Sequence, residues 1–370
     1  MSDQARSLYI HIPFCRHRCG YCNFALLAGR DELIDRYLAA LATEFSWLTN
    51  VPEVATIFVG GGTPSRLSVS QIQLLFELVE KTFKVHPDSE ITVECNPDDI
   101  SDKFCKTLKG VGASRISLGV QSFDDDKLKF LEREHSRMQI ENAIEVVGEH
   151  FDNFSIDLIF AAQGERLDTW LSDLRSAISM QPQHISTYEF TIEKGTRFWN
   201  SQHRGSLVVP GEELRAELYE ATIETMLAAG FEHYEISSFA QSGFRCRHNL
   251  AYWDGSEYLA FGASAARYVN SVRETNHRSP TTYMKRVRAG ETPVFESELI
   301  SPDTQMLEKI AFGLRQLDGV CLPDDISGDL KKLLMRLNSH RLIIESDKHL
   351  KLTRHGLMVY DSIAQEILSI

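Results

Sequence analysis

The chain has 370 residues, of which 43% are hydrophobic and 25% are charged, a balance typical of globular proteins and not of disordered ones. Its formal net charge of -13 argues against a general nucleic-acid-binding protein, because attraction to phosphates needs clustered excess Lys and Arg. The length exceeds the usual size of a single hydrophobic core, so we expect one large domain and one small one.

The amino-terminal segment, MSDQARSLYIHIP, has neither the apolar stretch nor the small-residue cleavage site of a secretory signal. No window of the sequence approaches the roughly 20 apolar residues of a membrane span. We therefore expect a cytoplasmic protein with no transmembrane segment. In that reducing compartment, seven cysteines indicate metal binding and not a disulfide framework.

Short β-rich runs alternate with amphipathic stretches in the first half of the chain. The runs that predict strands are residues 8–13, 55–62, 90–97, 114–122, 153–160 and 184–190. Between them, apolar residues at helical spacing predict helices over 31–48 and 69–83. This alternation indicates βα units around a parallel sheet. The predicted fold class is α/β, as a partial (β/α)6 barrel over residues 1–230.

The pattern changes after about residue 230. Residues 231–299 are rich in aromatics and turns, and we interpret them as an extension of the barrel. A further unit over 300–370 is predicted to be a winged-helix-like α+β module. Its predicted elements are helices over 304–317 and 327–340, a hairpin over 342–353 and a closing helix over 355–368.

Three cysteines lie close together directly after the first predicted strand. Cys15, Cys19 and Cys22 have the spacing C-x3-C-x2-C, and Phe24 stands where a fourth cysteine could follow. Three thiolates can bind three corners of an iron–sulfur cluster, but they leave one iron open to another ligand.

A zinc site is the alternative for this loop, with His11 or His17 as the fourth ligand. The other four cysteines are far apart in the sequence, and we expect each to be a small buried apolar residue. They are Cys95, Cys105, Cys246 and Cys321.

Polar and glycine-rich residues follow the bodies of the predicted strands. The active site of a parallel barrel forms at the carboxyl ends of its strands, so these residues are expected to share one site. They are Gly60, Gly61, Gly62, Glu94, Asn96, Gln121 and Asp157.

The cysteine spacing, with Tyr21 directly before the last cysteine, resembles the radical S-adenosylmethionine (radical SAM) superfamily. In that superfamily three thiolates hold a [4Fe–4S] cluster, and the methionine part of S-adenosylmethionine binds the open iron. An electron from the cluster can then cleave the sulfonium. The resemblance implies the same cofactors here, and a partial barrel of the radical SAM type.

Further motifs match the same superfamily, namely VGGGTPS (59–65), ITVECNP, SLGVQSFDD and LEREHS. Each of these polar residues alone would more simply be a surface or core-rim residue. The resemblance implies that Glu94 and the glycine strand hold the cofactor's amino group and that Arg133 pairs with its carboxylate. It also implies that Gln121 and Asp157 bind the ribose hydroxyls. The full implied cofactor-binding set is Tyr9, Tyr21, Gly61, Gly62, Thr63, Glu94, Gln121, Arg133 and Asp157.

Within the superfamily, YIHIPFC, GGGTPS, HISTYEF and the carboxyl-terminal unit resemble the oxygen-independent coproporphyrinogen III oxidases and their shorter relatives, the heme chaperones called HemW. The oxidases carry another cysteine two positions after the third one, and an amino-terminal extension. This chain has Phe24 at that position and no such extension. The resemblance therefore favours the heme-chaperone branch.

The stretch RCRHNLAYWDG (245–255) matches the H-N-x-x-Y-W motif of the heme-chaperone branch. The resemblance makes His248 the candidate heme ligand, because imidazole is a common axial ligand of heme iron. The alternative is a structural histidine beside two core aromatics, Tyr252 and Trp253. The next candidates for the ligand are His11, His17, Cys246 and Met284.

The resemblance thus implies a heme chaperone that carries a [4Fe–4S] cluster and S-adenosylmethionine. Its implied partners are heme and heme-receiving respiratory proteins, at the membrane surface. The alternatives are oxidative decarboxylation of coproporphyrinogen III and another radical tailoring reaction.

The chain departs from its relatives in two places. The relatives have G-L-P after the fifth strand, where this chain reads AAQ (161–163). They have a G-x-G-A-H run where this chain reads GASAAR (262–267), so Ala266 or Arg267 replaces a histidine.

Overall fold

The computed structural model describes residues 6–370. Its strands are β1 (Arg6–Ile12), β2 (Phe14–Cys15), β3 (Leu27–Ala28), β4 (Glu53–Gly61), β5 (Lys84–Cys95), β6 (Arg115–Gln121), β7 (Phe154–Phe160), β8 (His184–Glu189), β9 (Glu232–Glu235), β10 (Ser238–Ala240), β11 (Tyr258–Phe261), β12 (Ala266–Val269), β13 (Val272–Asn276), β14 (Val294–Leu299), β15 (Val320–Cys321), β16 (Ile343–Ser346) and β17 (His349–Leu352).

The α-helices of the same residues are α1 (Ile34–Ser46), α2 (Val69–Thr82), α3 (Asp102–Gly110), α4 (Asp125–Phe130), α5 (Arg137–His150), α6 (Leu167–Ser179), α7 (Arg197–His203), α8 (Glu212–Ala228), α9 (Arg247–Trp253), α10 (Pro280–Arg288), α11 (Pro302–Gly313), α12 (Gly328–Ser339), α13 (Arg354–Met358) and α14 (Tyr360–Leu368). Among these helices, none has the length and apolar character needed to cross a bilayer.

One twelve-stranded sheet organises the larger part of the chain, in the order β14-β13-β12-β11-β1-β4-β5-β6-β7-β8-β10-β9. Six central strands, from β1 to β8 in this order, are parallel, and a helix follows each of them. Over the described residues, β9 and β14 lie at opposite edges of the sheet and do not pair with each other. The sheet is therefore open, which confirms the predicted partial barrel.

The stretch predicted as one extension of the barrel contributes strands to both ends of the sheet. β10 pairs antiparallel with β8 and carries β9 at the far edge. At the other end β11 runs parallel to β1, and β12, β13 and β14 follow as an antiparallel meander. The sequence pattern indicated the change at residue 230 but not this division between two edges.

Local sequence explains where the helices of the barrel begin. Ser68 caps α2 by accepting from the backbone N–H of Gln71, whose side chain accepts from the Ser68 N–H in return. This capping box satisfies two donors that the first helical turn leaves free. The buried face of α2 repeats at helical spacing through Ile72, Leu75, Phe76 and Val79.

The carboxyl-terminal unit has its own core and a three-stranded sheet in the order β15-β17-β16. The β16–β17 hairpin turns at Asp347 and Lys348, which both have positive φ, as a two-residue hairpin loop requires. The guanidinium of Arg315 joins this unit to the barrel. It lies 4.4 Å above the ring centroid of Trp253 and forms an ion pair of 3.2 Å with Glu235.

Three of the four scattered cysteines are buried as predicted, namely Cys95, Cys105 and Cys246. The prediction was wrong for Cys321, which is exposed. Its strand β15 is short and lies at the edge of a small sheet. The Cys321 sulfur lies 3.3 Å from Nδ1 of His349 on the neighbouring strand.

A buried ion cluster supports the segment after β6, which leads to Arg133. Asp173 on α6 accepts from Ser122 Oγ (2.6 Å) and from the Phe123 N–H (2.8 Å). The ammonium of Lys127 forms ion pairs with Asp173, at 3.2 Å, and with Glu165. Because all three charged side chains are at most 9% exposed, each carboxylate depends on this one cation.

We expect Lys127→Met to destabilise the fold by about 3–5 kcal/mol, because it leaves two buried carboxylates without a cation. Lys129→Met is the matched control on the same helix, since Lys129 is exposed and pairs only with exposed Asp126. That control should change stability by less than about 1 kcal/mol. Urea unfolding followed by circular dichroism compares the variants, and equal midpoints would contradict the role of the cluster.

Candidate functional site

The cysteine loop, residues 13–28, is held in shape by its own backbone and by one arginine. The Leu27 N–H donates to Pro13 O (2.6 Å), which closes the loop behind β1. The guanidinium of Arg18 donates to three carbonyls inside the loop at 3.2–3.4 Å, those of Cys22, Phe24 and Leu26. Hydrogen bonds within the loop therefore hold the three cysteines in position.

Two of the three sulfurs receive hydrogen bonds from outside the loop. Thr63 Oγ1 donates to Cys15 Sγ (3.3 Å), and Arg133 Nη1 lies 3.9 Å from Cys19 Sγ as a donor. Burial nevertheless raises the pKa of Cys15 to about 11, and burial also raises the pKa of Cys22. Metal binding must therefore displace protons from these thiols.

The ligand atoms of this loop do not form a ready zinc site, although Nε2 of His17 lies 3.5 Å from Cys19 Sγ. Four ligands around one zinc lie about 3.8 Å from one another, given zinc–sulfur bonds of about 2.3 Å. Among the described residues, no three ligand atoms of this loop come within 4.8 Å of one another. His11 is also unsuited as the fourth ligand, because its ring nitrogens bond to Tyr9 OH and Ala25 O.

A cavity of about 440 Å³ opens at the carboxyl ends of the parallel strands, beside the cysteine loop. It gathers the three cysteines and all but one of the residues in the implied cofactor-binding set. Those that line it are Cys15, Cys19, Tyr21, Cys22, Gly61, Gly62, Thr63, Glu94, Gln121, Arg133 and Asp157.

The glycine strip at the end of β4 is required by the protein's own packing. A Cβ on Gly62 would come within 2.9 Å of Ile12 O, and one on Gly61 within 2.3 Å of the His11 ring. Gly61 also has φ +114°, which side chains rarely adopt. These glycines let the backbone itself form one wall of the cavity.

Two half-buried carboxylates face the cavity from neighbouring parts of the sheet. Glu94 accepts from the Gly61 N–H (3.0 Å), and burial raises its pKa to about 7. Asp157 accepts from Ser117 Oγ (2.8 Å) and Ser155 Oγ (3.2 Å), although burial also raises its pKa. Such carboxylates suit an ammonium group and vicinal hydroxyls, the donors that the resemblance places here.

Arg133 brings positive charge to the cavity, which Arg16 and Arg66 also line. Its Nη2 donates to Asn96 Oδ1 (2.8 Å) and to Gly119 O (2.8 Å), which fixes the direction of the guanidinium. Gln121, at the end of β6, has φ +68°, a left-handed conformation that is uncommon for residues other than glycine. Backbone conformations of this kind concentrate at functional sites.

Two residues of the predicted set lie elsewhere. Tyr9 does not line the cavity, and its hydroxyl bonds to His11 Nδ1 (3.0 Å). His248 is 1% exposed, with one ring nitrogen bonded to Thr56 Oγ1 (2.8 Å) and the other to Tyr252 OH (2.9 Å). Burial lowers the pKa of His248 to about 3. Both ring nitrogens of His248 are occupied in this structure, as the structural alternative expects, and the assignment of His248 as an axial heme ligand stays a prediction.

The ligands predicted next after His248 are no better placed. Cys246 and Met284 are buried, and both ring nitrogens of His11 are occupied. Only His17 reaches the cavity, where its Nε2 bonds to Glu132 O.

The cavity also contains residues that the predicted site set did not include. Tyr188 lies near the end of β8 and lines the cavity, and Phe24 contributes a side chain that is 64% exposed. The position of Tyr188 follows from the same strand-end rule that found Asp157. His135 also lines it, held by Val120 O (3.0 Å).

The sequence matches two family models. Residues 9–177 match the model described as the radical SAM superfamily. Residues 300–359 match the model of the HemN C-terminal domain. The first match covers the cysteine loop and β1–β7, and the second covers most of the carboxyl-terminal unit.

Several relatives that match most of the chain are named heme chaperone HemW. The heme chaperone HemW of Bacillus subtilis is 34% identical over 97% of this chain and 98% of its own length. The heme chaperone HemW of Escherichia coli is 36% identical over 75% of each chain. The solved coproporphyrinogen III oxidase (HemN) from Escherichia coli has a TM-score of 0.86 over 98% of this chain and 90% of its own, at 21% identity. At this sequence identity, the likeness shows a shared fold alone.

The raised pKa of Glu94 predicts how the affinity of the cluster-loaded protein for S-adenosylmethionine depends on pH. A carboxylate with a pKa of about 7 attracts an ammonium group through its charge only when it is ionised, so affinity should fall about tenfold from pH 8 to pH 6. Glu94→Gln should bind more weakly at pH 8 and lose this part of the pH dependence. Anaerobic calorimetry from pH 6 to 8 measures both proteins. The amino group of S-adenosylmethionine titrates in the same way with both proteins. Parallel pH profiles of affinity for the parent and Glu94→Gln would therefore contradict the role of Glu94.

A second prediction compares a carboxylate that lines the cavity with a carboxylate on the surface. Asp157→Asn should weaken S-adenosylmethionine binding about 10- to 100-fold, because it replaces a charged acceptor inside the cavity. Asp126→Asn, an exposed position on α4, should bind as the parent does. Equal affinities for the parent and Asp157→Asn would place the cofactor elsewhere.

Proposed function

The chain belongs to the heme chaperone HemW family, with a radical SAM domain, and from this we propose that it is a heme chaperone that uses a [4Fe–4S] cluster and S-adenosylmethionine. The proposal rests on one observation above all. The three thiols of the cysteine loop and the implied cofactor-binding residues other than Tyr9, contributed by the loop, by β4–β7 and by the segments after these strands, line a single cavity.

The residues present fit both cofactors. Cys15, Cys19 and Cys22 would hold three irons, and the donors on Cys15 and Cys19 would stabilise their thiolates. When bound, the cluster supplies a single electron and an open iron position. The chain's own part is to bind and orient, with Glu94 on the ammonium and Arg133 on the carboxylate of S-adenosylmethionine.

The chain also shapes the surroundings of the cofactors. Tyr21, within the cysteine loop, packs edge-on against Phe190 at a ring-centroid distance of 6.2 Å. These rings and the buried strand ends keep water from the inner side of the cavity, where charge interactions are stronger. The outer side opens beside exposed Phe24.

The leading alternative is an oxygen-independent coproporphyrinogen III oxidase, whose fold this chain shares. The oxidases resembled by the sequence carry a cysteine where Phe24 stands. An exposed phenyl ring cannot replace a thiol in ligand chemistry. Another radical tailoring reaction is disfavoured by the H-N-x-x-Y-W motif and by full-length kinship with heme chaperones.

For its cellular role, the chain receives heme in the cytoplasm and delivers it to respiratory-chain proteins at the membrane surface. The kinship with heme chaperones supports the heme half of this statement. The absence of a bilayer-crossing helix among residues 6–370 is compatible with a transient visit to a membrane. The recipient is part of the proposal alone.

The function predicts two outcomes for the anaerobically reconstituted protein. It should bind hemin, and with reductant and S-adenosylmethionine it should form no protoporphyrinogen from coproporphyrinogen III. Ultraviolet–visible titration and chromatography of the porphyrins measure these outcomes. Robust decarboxylation would establish the oxidase instead, and failure to bind hemin would remove the chaperone function.

Cluster assembly is the control for both assays. Cys19→Ser should abolish iron and sulfide retention, because two protein thiolates are too few to hold the cluster. Cys321→Ser should retain both, since Cys321 is exposed on the distant β15. Full iron content in Cys19→Ser would reject the cysteine loop as the cluster site.

A further inference from the structure

The two edges of the twelve-stranded sheet differ in how the chain covers them. At β9, the segment after α11 lies along the edge, and the Leu317 N–H donates to Tyr234 O (3.0 Å). At β14, no such segment is present over residues 6–370. Apart from a bond between the Val294 N–H and Thr292 Oγ1 (3.3 Å), no backbone group of β14 bonds to a described residue outside β13. Such an edge offers N–H and C=O groups with which another strand can pair.

The side chains of β14 leave this edge accessible. Five of its six residues are exposed, among them Phe295 (70%) and Leu299 (77%). Proteins often protect an open edge with lysine, proline or a bulge. The bulge in β14 is confined to its amino end, between Val294 and Glu296. From Glu296 to Leu299 the strand pairs regularly with β13 and offers a regular ladder on its other side.

Two glutamates lie within this regular part of β14. Glu296 forms no ion pair with any described residue, and Glu298 has Arg273 on β13 as its partner at 3.8 Å. The two carboxylates are two positions apart, so they point to the same face of the sheet. A neighbouring strand with basic residues at the same spacing would place a cation opposite each carboxylate. Cross-strand pairs of opposite charge stabilise a sheet.

A second copy of this chain suits the edge less well. In an antiparallel pair of identical strands, residues at equal distances from the two-fold centre face each other. A centre at residue 296 or 298 places that glutamate opposite its own copy, and a centre at residue 297 places Glu296 opposite Glu298. Like charges directly opposite each other destabilise a sheet. The charge pattern therefore favours a different strand, one that is basic.

The amino end of β14 lies on the side of the cysteine loop. Asn276 of β13 pairs with Val294, and Arg278, two residues further along the chain, donates to Oδ1 of Asn23 (2.6 Å). Asn23 directly precedes exposed Phe24, beside which the cofactor cavity opens. A strand added to β14 would thus lie on the flank of the molecule that carries the mouth of the cavity.

We propose that β14 is the docking site for a partner protein, which adds one extended segment to this edge of the sheet. The segment has basic residues at alternate positions, opposite Glu296 and Glu298. Apolar residues between them cover the exposed side chains of Phe295 and Leu299. This interaction goes beyond the proposed function and does not depend on it, because it rests on the sheet edge alone.

The probe is a fluorescently labelled synthetic peptide in which lysine alternates with valine, titrated at physiological salt into the cluster-loaded full-length protein. Fluorescence anisotropy should show binding, and hydrogen-exchange mass spectrometry should show slower exchange over residues 294–299. The same peptide with methylated backbone nitrogens keeps its charge but donates no ladder bonds, so it should bind at least about tenfold more weakly.

Glu296→Lys should weaken binding of the lysine–valine peptide about five- to tenfold, because it places a cation opposite a cation. Glu345→Lys is the matched control and should bind as the parent does. Glu345 is also an exposed glutamate on an edge strand, β16 of the small sheet.

Three results would overturn the proposal. The first is a parent protein that does not bind the peptide, or that binds it no more tightly than Glu296→Lys does. The second is slower exchange on binding that falls outside β14, which would show a general attraction to an acidic protein. The third is slower exchange over 294–299 that rises with protein concentration in the absence of peptide, which would show a second copy of the chain on this edge.

Discussion

The site depends on one iron of the cluster that no thiol of the cysteine loop can bind. Three thiols on one short loop can satisfy three irons of a cluster, and the fourth iron needs a ligand from outside the loop. The surrounding structure provides room for that ligand, because Gly61 and Gly62 leave a backbone wall and Arg133 and Glu94 bring opposite charges to one cavity. The parallel strands make this convergence possible, since their carboxyl ends meet at one edge of the sheet.

The same constraint explains the mixed character of the cavity. Its charged and polar groups suit an amino acid and a ribose, while apolar side chains such as Ile159, Phe190 and exposed Phe24 complete its lining. The strands that the region after residue 230 adds to the barrel lie at both ends of the sheet, away from the central strands that form the site.

The sequence predicted the six parallel strands and the position of the cysteine loop because both are local patterns. It also predicted Glu94, Gln121 and Asp157 in the cavity, since strand ends converge by topology. It left two interpretations of His248 open, because the partner Thr56 lies 192 positions away and only the folded chain shows that both ring nitrogens are occupied. The exposure of Cys321 was also not predicted, because no local sequence pattern shows that a strand lies at the edge of a small sheet.

The most direct test of the open-iron arrangement is Mössbauer spectroscopy of protein reconstituted with 57Fe, recorded with and without S-adenosylmethionine. One iron of the [4Fe–4S] cluster should change its isomer shift and quadrupole splitting when the ligand is added, while the other three stay the same. Arg133→Ala should lose this response at the same ligand concentration. A spectrum unchanged by saturating S-adenosylmethionine in the parent protein would contradict the account.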